Sequence, residues 1–363
     1  MKKQLLFVGN KFTLNRSFQR YILREVEKKS GQIDAIFFFQ ESDNSLFLHL
    51  EKVLLSSGTL IIVTTKSSFS VIGKLLSTVT SDNQILKEQM LIPSQTLVFE
   101  QNSYLIKHED STVNVLMAEE GVQLPKLLID EEERSAIIHI FEEDVESVQA
   151  MLHPLAQTYD VRLDYTHVVS GWVKLQIQSR RYGNIAQFIA SVKQLLPKKV
   201  IAASNIAVYI IEKLMHHQRK VTFAESCTGG LLASFFTRES GASNVFDGSL
   251  VTYSNSLKAN WLAVSDLNLE RFGAVSQEII EEMTDGALNV SYADYALAVS
   301  GIAGPDGGTE FKPVGTIFIG ARSKLDNTTE ECYFEGDRNY IQEQSTYYAV
   351  KMLLLLDKET FFE

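Results

Sequence analysis

The chain has 363 residues, of which 45% are hydrophobic and 22% charged, and its formal net charge at pH 7 is -11. This length suits two or three domains with separate cores. An acidic chain without a basic stripe is not expected to bind nucleic acid directly, and no apolar run approaches the length of a membrane span. Two cysteines, Cys227 and Cys332, make no disulfide framework, which favours a cytoplasmic location.

Strand and helix patterns alternate through the first third of the chain. This alternation is typical of a parallel sheet with helices on its faces. The acidic run Asp130–Glu133 is interpreted as a solvated linker or helix start, which closes a first domain at residues 1–133. The predicted strands cover residues 4–8, 35–39 and 60–63, and the predicted helices cover residues 17–29 and 45–55.

A run in the order strand, helix, strand, strand, helix follows at residues 134–199. Its pattern is typical of a small α+β domain. A final domain at residues 200–363 begins with a helix predicted from about residue 204 to 216. The predicted fold class is α/β for the whole chain. The predicted strands of the small domain are 136–140, 161–165 and 172–177, and its helices are 143–158 and 184–195.

The most informative segment of the final domain surrounds Ser226. An apolar run from Val221 predicts a buried strand, and the run from Leu231 predicts a helix, so that Ser226 lies at the turn between them. Such a turn places a hydroxyl beside free backbone N–H groups, where it can act as a nucleophile next to an oxyanion site. Gly229 and Gly230 allow a ligand to approach the backbone. A helix-capping serine with packing glycines fits the same spacing, and the spacing alone favours that interpretation.

Lys258 is the candidate base for this serine. None of the seven histidines has a compelling context and no paired His/Cys spacing indicates zinc, whereas burial can lower the pKa of a lysine enough for it to act as a base. A strand is predicted to end at Tyr253, and Ser254 or Asn255 can cap a short helix through Leu262. Lys258 then lies one turn into that helix, near the phenol. A solvated surface lysine is the competing interpretation.

Four glycines in the segment Gly301–Gly308 follow a strand predicted at residues 295–299. They indicate a backbone cradle for an anion or nucleotide, although the spacing matches neither the ATPase phosphate loop nor the dinucleotide fingerprint. A mobile surface loop is the alternative. Arg338, before a helix predicted at residues 340–356, is suited to a phosphate or to a surface carboxylate. Cys227 is interpreted as a packing residue.

Together these segments resemble the carboxy-terminal domain of the CinA family. The resemblance implies a three-layer α/β/α sandwich and a nicotinamide-nucleotide amidohydrolase, which converts nicotinamide mononucleotide to nicotinate mononucleotide and ammonia. The motifs that carry the resemblance are Ala224–Gly230, Tyr253–Asn255 with Lys258, Gly273–Ser276, Gly301–Gly308 with Lys312–Gly315, and Gly336–Arg338.

The resemblance also implies roles. Ser226 attacks the carboxamide carbon, Lys258 is the base assisted by Tyr253, and N–H groups after Ser226 hold the oxyanion. The partner is a small-molecule nucleotide substrate, no cofactor or metal is needed, and a homo-oligomer, a dimer, is expected. Gln342 stands where the family pattern has a second arginine, which predicts weaker phosphate binding. The residues expected to contact the nucleotide are Thr228, Gly229, Gly230, Asn255, Gly301, Ala303, Gly304, Gly308 and Arg338.

The remainder resembles, more weakly, the long CinA proteins, which begin with a molybdopterin-binding-like domain followed by a small α+β linker domain. The segment Thr64–Ser70 stands where the family has a glycine-rich loop and paired aspartates, and it lacks both features. Such a loop cannot approach a phosphate closely and offers no metal-binding carboxylates. We expect a degenerate domain without ADP-ribose pyrophosphatase activity, in a structural or dimerising role. A catalytically silent nucleotide-binding or scaffold protein is the alternative for the whole chain.

Overall fold

The computed structural model describes residues 2–129, 135–180 and 182–362. It contains two compact units, one within residues 1–133 and one within residues 134–363. The acidic run Asp130–Glu133, predicted as a linker or helix start, lies outside the described residues. No described helix combines the length and apolar character that crossing a membrane requires.

The first unit is built on a six-stranded sheet. Successive apolar residues of its first strand alternate between two cores, because Leu6 and Val8 pack on one face and Leu5 and Phe7 on the other. Its strands are β1 (Lys2–Val8), β2 (Ala35–Phe39), β3 (Gly58–Thr64), β4 (Gln84–Lys87), β5 (Met90–Pro93), β6 (Val98–Glu100), β7 (Ser103–His108) and β8 (Ser111–Met117), and its helices are α1 (Lys11–Leu14), α2 (Arg16–Ser30), α3 (Ser45–Leu54) and α4 (Lys66–Val79).

The strand order of this sheet is β2-β1-β3-β8-β7-β6, and β4 and β5 form a separate hairpin. The pairs among β2, β1, β3 and β8 are parallel, as the alternating pattern predicts, and β7 and β6 are antiparallel. Helix α4 begins where the sequence predicts a loop. Thr65 caps this helix by accepting the N–H of Ser68 at 3.3 Å. The serine and threonine residues at the helix start obscured the helical spacing of its apolar residues in the sequence.

The second unit begins with a four-stranded antiparallel sheet in the order β10-β11-β9-β12. Phe141 and Trp172 from this sheet belong to the same apolar cluster as Phe223 from the next one. The separation of residues 134–199 as a domain of their own therefore stays a prediction. The elements are β9 (Ser135–Phe141), α5 (Val145–Thr158), β10 (Val161–Val169), β11 (Trp172–Ser179), α6 (Ile185–Leu195) and β12 (Val200–Ala202).

A five-stranded mixed sheet follows, with helices on both faces. One face packs Ile280 and Met283 against Ala298, and the other packs Phe223 with Leu353. The predicted α/β class is confirmed. The elements are α7 (Ile206–His216), β13 (Val221–Glu225), α8 (Leu231–Thr237), β14 (Phe246–Val251), α9 (Asn255–Leu262), α10 (Asp266–Phe272), α11 (Gln277–Val290), β15 (Tyr295–Gly301), β16 (Thr316–Ser323), β17 (Asn327–Tyr333), α12 (Arg338–Leu356) and α13 (Lys358–Phe361).

The strand order β14-β13-β15-β16-β17 positions the candidate site. Strands β14, β13 and β15 are parallel, so the segments that follow them leave the sheet at one edge. Strand β14 ends at Val251, two residues before the end predicted at Tyr253. The backbone N–H of Thr252 still donates to the carbonyl oxygen of Glu225 at 2.8 Å, whereas Tyr253 lies outside the sheet, between β14 and α9.

Candidate functional site

Ser226 and Lys258 meet at this edge of the sheet. The Nζ atom of Lys258 lies 3.0 Å from the Oγ atom of Ser226, and it donates to the carbonyl oxygen of Thr252 at 2.8 Å. Ser226 directly follows β13, and Lys258 lies in the first turn of α9. Ser254 caps α9 by accepting the N–H of Leu257 at 3.2 Å. Because Lys258 lies only four residues after this cap, its amine points toward Ser226.

Burial sets the chemical state of the two groups nearest Ser226. Lys258 is 1% exposed, and this desolvation lowers the pKa of its amine from 10.5 to about 8. Roughly a tenth of such amines are neutral at pH 7. Burial raises the pKa of the Cys227 thiol to about 12, so the thiol stays protonated and packs in the core, as predicted. The amine, and not the thiol, has the pKa that acid–base chemistry near neutrality needs.

The sequence predicts free backbone N–H groups beside Ser226, but three of those at the start of α8 are already bound. Glu225, a fully buried residue that the sequence interpretation missed, covers the start of α8 with its carboxyl group. A buried acid at the end of an apolar strand requires hydrogen-bond donors. The glutamate after the apolar run from Val221 was therefore the sequence feature that could have indicated this role. Its Oε2 accepts from Thr228 Oγ1 (2.8 Å), Gly230 N (2.9 Å) and Leu232 N (3.1 Å), and its Oε1 accepts from Ala233 N (2.9 Å) and Ser249 Oγ (2.9 Å).

Two further donors of the turn are also engaged. The N–H of Ser226 donates to the carbonyl oxygen of Val299 at 2.9 Å, and the N–H of Gly229 donates to that of Ser226 at 3.1 Å. Within the described ranges, no acceptor from another residue is paired with the N–H groups of Cys227 and Thr228. Gly229 is exposed, has a φ of +60°, and carries no atom within 4 Å of the place where a Cβ would stand. The turn therefore has open space at Gly229, directly after these two residues.

Arg338 connects two of the predicted ligand-binding segments. Its Nη2 donates to the phenol oxygen of Tyr253 at 2.9 Å, and its Nη1 donates to the carbonyl oxygen of Gly304 at 2.6 Å. Arg338 begins α12, which starts two residues before the predicted position because Asp337 caps it. Tyr253 is 60% exposed, and Asn255 is exposed in the first turn of α9.

Three of the four glycines in the Gly301–Gly308 segment are required by close packing. A Cβ on Gly301 would lie 2.3 Å from Cδ1 of Ile317, and one on Gly304 would lie 2.6 Å from Cγ1 of Val314. A Cβ on Gly308 would lie 2.8 Å from the backbone nitrogen of Val314. These contacts bring the segment onto the start of β16, so the glycines serve the fold of the loop itself.

Lys312 connects the loop before β16 to the segment before α11. The Nζ atom of Lys312 donates to the carbonyl oxygens of Phe272 at 3.2 Å and Val275 at 2.6 Å. Ser300 donates to the carbonyl oxygen of Ala274 at 2.7 Å, and Ala303 is buried. The Gly273–Ser276 motif is thus held near the glycine segment by Ser300 and Lys312, which flank that segment.

Gln342 reaches the turn after Ser226 from α12. Its Nε2 donates to the carbonyl oxygen of Cys227 at 2.6 Å. Gln342 stands where the family pattern has an arginine, and here it stabilises the turn after Ser226 through this hydrogen bond. No group of three His, Cys, Asp or Glu side chains that could hold a metal ion occurs in the described parts of the chain.

The first unit has a cleft of about 420 Å³ at the carboxyl ends of its parallel strands. Oε1 of Glu41 accepts the hydroxyls of Thr65 at 2.7 Å and Ser67 at 3.0 Å, and these bonds lower the pKa of Glu41. A carboxylate thus lies over the start of α4, where like charge disfavours a phosphate. The residues lining the cleft are Asn10, Lys11, Gln40, Glu41, Ser42 and Thr65.

Comparison with known proteins identifies relatives of the second unit. A family model described as the CinA C-terminal domain matches residues 203–356. The nicotinamide-nucleotide amidohydrolase PncC of Escherichia coli is 47% identical over 134 residues, which are 37% of this chain and 81% of that protein.

Longer relatives match over a smaller share of their length. A CinA-like protein of Petrotoga mobilis is 35% identical over 200 residues, and one of Fervidobacterium nodosum is 44% identical over 167 residues. The matches cover 54% and 45% of this chain, and the chain spans 50% and 41% of those curated relatives. The crystal structure of the competence/damage inducible protein CihA from Agrobacterium tumefaciens is 38% identical with a TM-score of 0.41, covering 41% of this chain and 92% of that one.

Proposed function

Because this chain belongs to the CinA family, we propose that it hydrolyses nicotinamide mononucleotide to nicotinate mononucleotide and ammonia. The observation that carries the proposal is the buried amine of Lys258, 3.0 Å from the hydroxyl of Ser226. A neutral amine at that distance can take the hydroxyl proton as the oxygen attacks. The name of the matched Escherichia coli amidohydrolase supplies the substrate class.

The first half of the proposed reaction forms an ester on Ser226. In the neutral Lys258 amine one N–H donates to the carbonyl oxygen of Thr252. The nitrogen lone pair can then accept the hydroxyl proton of Ser226, whose Oγ lies 3.0 Å away. Lys258 accepts the hydroxyl proton while Oγ attacks the carboxamide carbon. The oxyanion is held by backbone N–H groups of the turn. Lys258 then returns the proton to the amide nitrogen, the C–N bond breaks, and ammonia leaves.

The second half consumes water. Lys258, neutral again, takes a proton from a water molecule that attacks the ester carbon, and the same donors hold the second oxyanion. Collapse breaks the bond to Oγ of Ser226, which regains its proton from Lys258. The net change is one amide and one water converted to one carboxylic acid and ammonia, so the amine ends each cycle in its starting form.

Substrate binding is assigned to the segments around this pair. The guanidinium of Arg338 donates one N–H to Tyr253 and one to Gly304. Its remaining N–H groups can bind a phosphate. The phenol of Tyr253, which accepts from Arg338, assists at the Ser226–Lys258 pair. The exposed Asn255, the open face at Gly229 and Gly230, and the segment Gly301–Gly308 complete the proposed nucleotide site. Thr228 contributes through its backbone, because its hydroxyl is used by Glu225.

Ammonia release from nicotinamide mononucleotide tests the proposal. Ser226→Ala is expected to reduce release to the uncatalysed level, because the ester cannot form. Ser243→Ala, at an exposed serine of the same domain, is the matched control and is expected to keep the wild-type rate. Equal rates in wild type and Ser226→Ala would refute the mechanism. Calorimetric binding of the mononucleotide without any product from the wild type would instead favour the silent nucleotide-binding protein.

A further inference from the structure

We infer that Glu225 is a positioning residue, whose buried carboxyl group fixes the turn after Ser226 so that the backbone N–H groups of Cys227 and Thr228 are the oxyanion donors. The inference rests on the proposed amide hydrolysis and assigns a role to a residue that the mechanism above does not use.

The carboxyl group of Glu225 is saturated by its surroundings. It is fully buried and accepts five hydrogen bonds, three from backbone N–H groups of the turn and α8, and two from hydroxyls. A carboxylate only accepts, whereas a glutamine would turn an NH₂ group toward these donors. Because unpaired buried donors cost free energy, the chain is held in the one arrangement that satisfies all five.

The backbone of Glu225 connects the other catalytic group to the same residue. Its carbonyl oxygen accepts the N–H of Thr252 at 2.8 Å, and the carbonyl oxygen of Thr252 accepts from Lys258 Nζ. The side chain of Glu225 therefore anchors the segment that carries Ser226, while its main chain anchors the segment that orients the amine. One residue sets the relative position of both groups.

The two free donors belong to peptide units whose carbonyl groups are held. In a trans peptide the N–H points opposite to the C=O of the preceding residue. The carbonyl of Ser226 accepts from Gly229, which fixes the N–H of Cys227, and the carbonyl of Cys227 accepts from Gln342, which fixes the N–H of Thr228. Both N–H groups are thus oriented before substrate arrives, as electrostatic stabilisation of an oxyanion requires.

The same arrangement excludes the helix start as the oxyanion or phosphate site. The N–H groups of Gly230, Leu232 and Ala233 are all bound to Glu225, and the carboxyl group lies at the positive end of α8. A second anion there would meet like charge without a free donor. The substrate phosphate is accordingly left to Arg338.

Glu225→Gln tests the inference in the full-length chain. Loss of the positioning is expected to lower kcat by about 100-fold, the range that follows from removing or displacing an oxyanion donor, with KM changed less than about threefold. The rise of the rate with pH near 8, which belongs to Lys258, is expected to stay in place. Glu270→Gln, the same substitution at an exposed glutamate of α10, is the matched control, with kcat within about threefold of wild type.

Hydrogen exchange supplies a readout that is independent of turnover. In Glu225→Gln, the amides of Gly230, Leu232 and Ala233 are expected to exchange faster, while distant segments keep their protection. Unchanged exchange, a wild-type kcat, or a shifted pH profile in this variant would each overturn the inference. A wild type without turnover would refute the proposed function alone, because exchange still tests whether Glu225 holds the turn.

Gln342→Met is the second variant, should Glu225→Gln fail to fold. It removes the donor to the Cys227 carbonyl and retains the length of the side chain. A kcat lowered by about tenfold at unchanged KM is expected, since the N–H of Thr228 loses its orientation. A raised KM at unchanged kcat would overturn the inference and would place Gln342 in substrate binding.

Discussion

Lys258→Met isolates the free energy stored in burying the catalytic amine. The side chain of methionine is one atom shorter than that of lysine and has no titratable group, so amide hydrolysis is expected to fall to background. The second expected effect concerns stability. Lowering the pKa of Lys258 from 10.5 to about 8 corresponds to about 3 kcal/mol, at about 1.4 kcal/mol per pH unit. Lys258 is 1% exposed, so screening by solvent removes little of this value.

The sign follows from proton binding in the two states. Between pH 8 and 10.5 the unfolded chain keeps the proton on Lys258, whereas the folded chain has released it. Stability therefore rises with pH across this window, and it is lost again as the pH falls to about 8. The methionine variant lacks this contribution. The free energy of unfolding of wild type is expected to gain about 3 kcal/mol relative to Lys258→Met between pH 7 and 10.5.

Urea unfolding followed by tryptophan emission measures this difference. Both tryptophans, Trp172 and Trp261, lie in the second unit, so their emission reports on the unit that holds Lys258. Hydrogen bonds lost in the variant shift its stability by a constant, which cancels in the pH dependence. Lys193→Met, at an exposed lysine of the same unit, supplies the baseline. Parallel stability curves for wild type and Lys258→Met would refute the buried-amine argument.

Four further predictions follow from the site and the first unit. The logarithm of kcat/KM should rise with unit slope and level off near pH 8 as Lys258 loses its proton, measured by ammonia release across pH 6 to 10. Arg338→Ala should raise KM more than it lowers kcat, because the contact with the substrate phosphate is lost. A change confined to kcat would contradict this role. Tyr253→Phe, which removes only the hydroxyl that accepts from Arg338, is the comparison. Gly301→Ala should lower the melting temperature through the clash with Ile317, with a stability loss of about 2 kcal/mol, and an unchanged melting curve would contradict the packing account. The whole chain should release no AMP from ADP-ribose with Mg²⁺ present, and release above the buffer rate would show that the first unit has kept hydrolase chemistry.

The candidate site was predictable where its geometry is local. The buried strand before Ser226 predicts that this serine lies at a strand end. The capping serine before α9 predicts that Lys258 lies in the first turn of that helix. Their pairing across 32 positions of the sequence depends on which strands are neighbours, and only the resemblance to a family supplied that.

Other features depend on contacts that no local pattern encodes. Glu225 was missed because one of its donors comes from β14, and the other four face its carboxyl group only once the turn and the start of α8 have formed. The glycines of Gly301–Gly308 were interpreted as a ligand cradle, whereas three of the four are required by a neighbour on β16 or just before it. Helix α4 was missed because its first turn carries the residues that favour turns.

Aromatic rings join the four-stranded sheet to the last helices of the chain. Trp172 contacts Tyr347 with ring centroids 6.0 Å apart, and Phe141 contacts Phe362 at 5.4 Å. Rings of this kind bury roughly 150–250 Å² each. A fragment cut before residue 200 would keep the whole proposed site, but it would lose Phe141 and Trp172 and expose Tyr347 and Phe362 to water, which favours aggregation. The carboxy-terminal portion of this protein is therefore best produced together with residues 135–199.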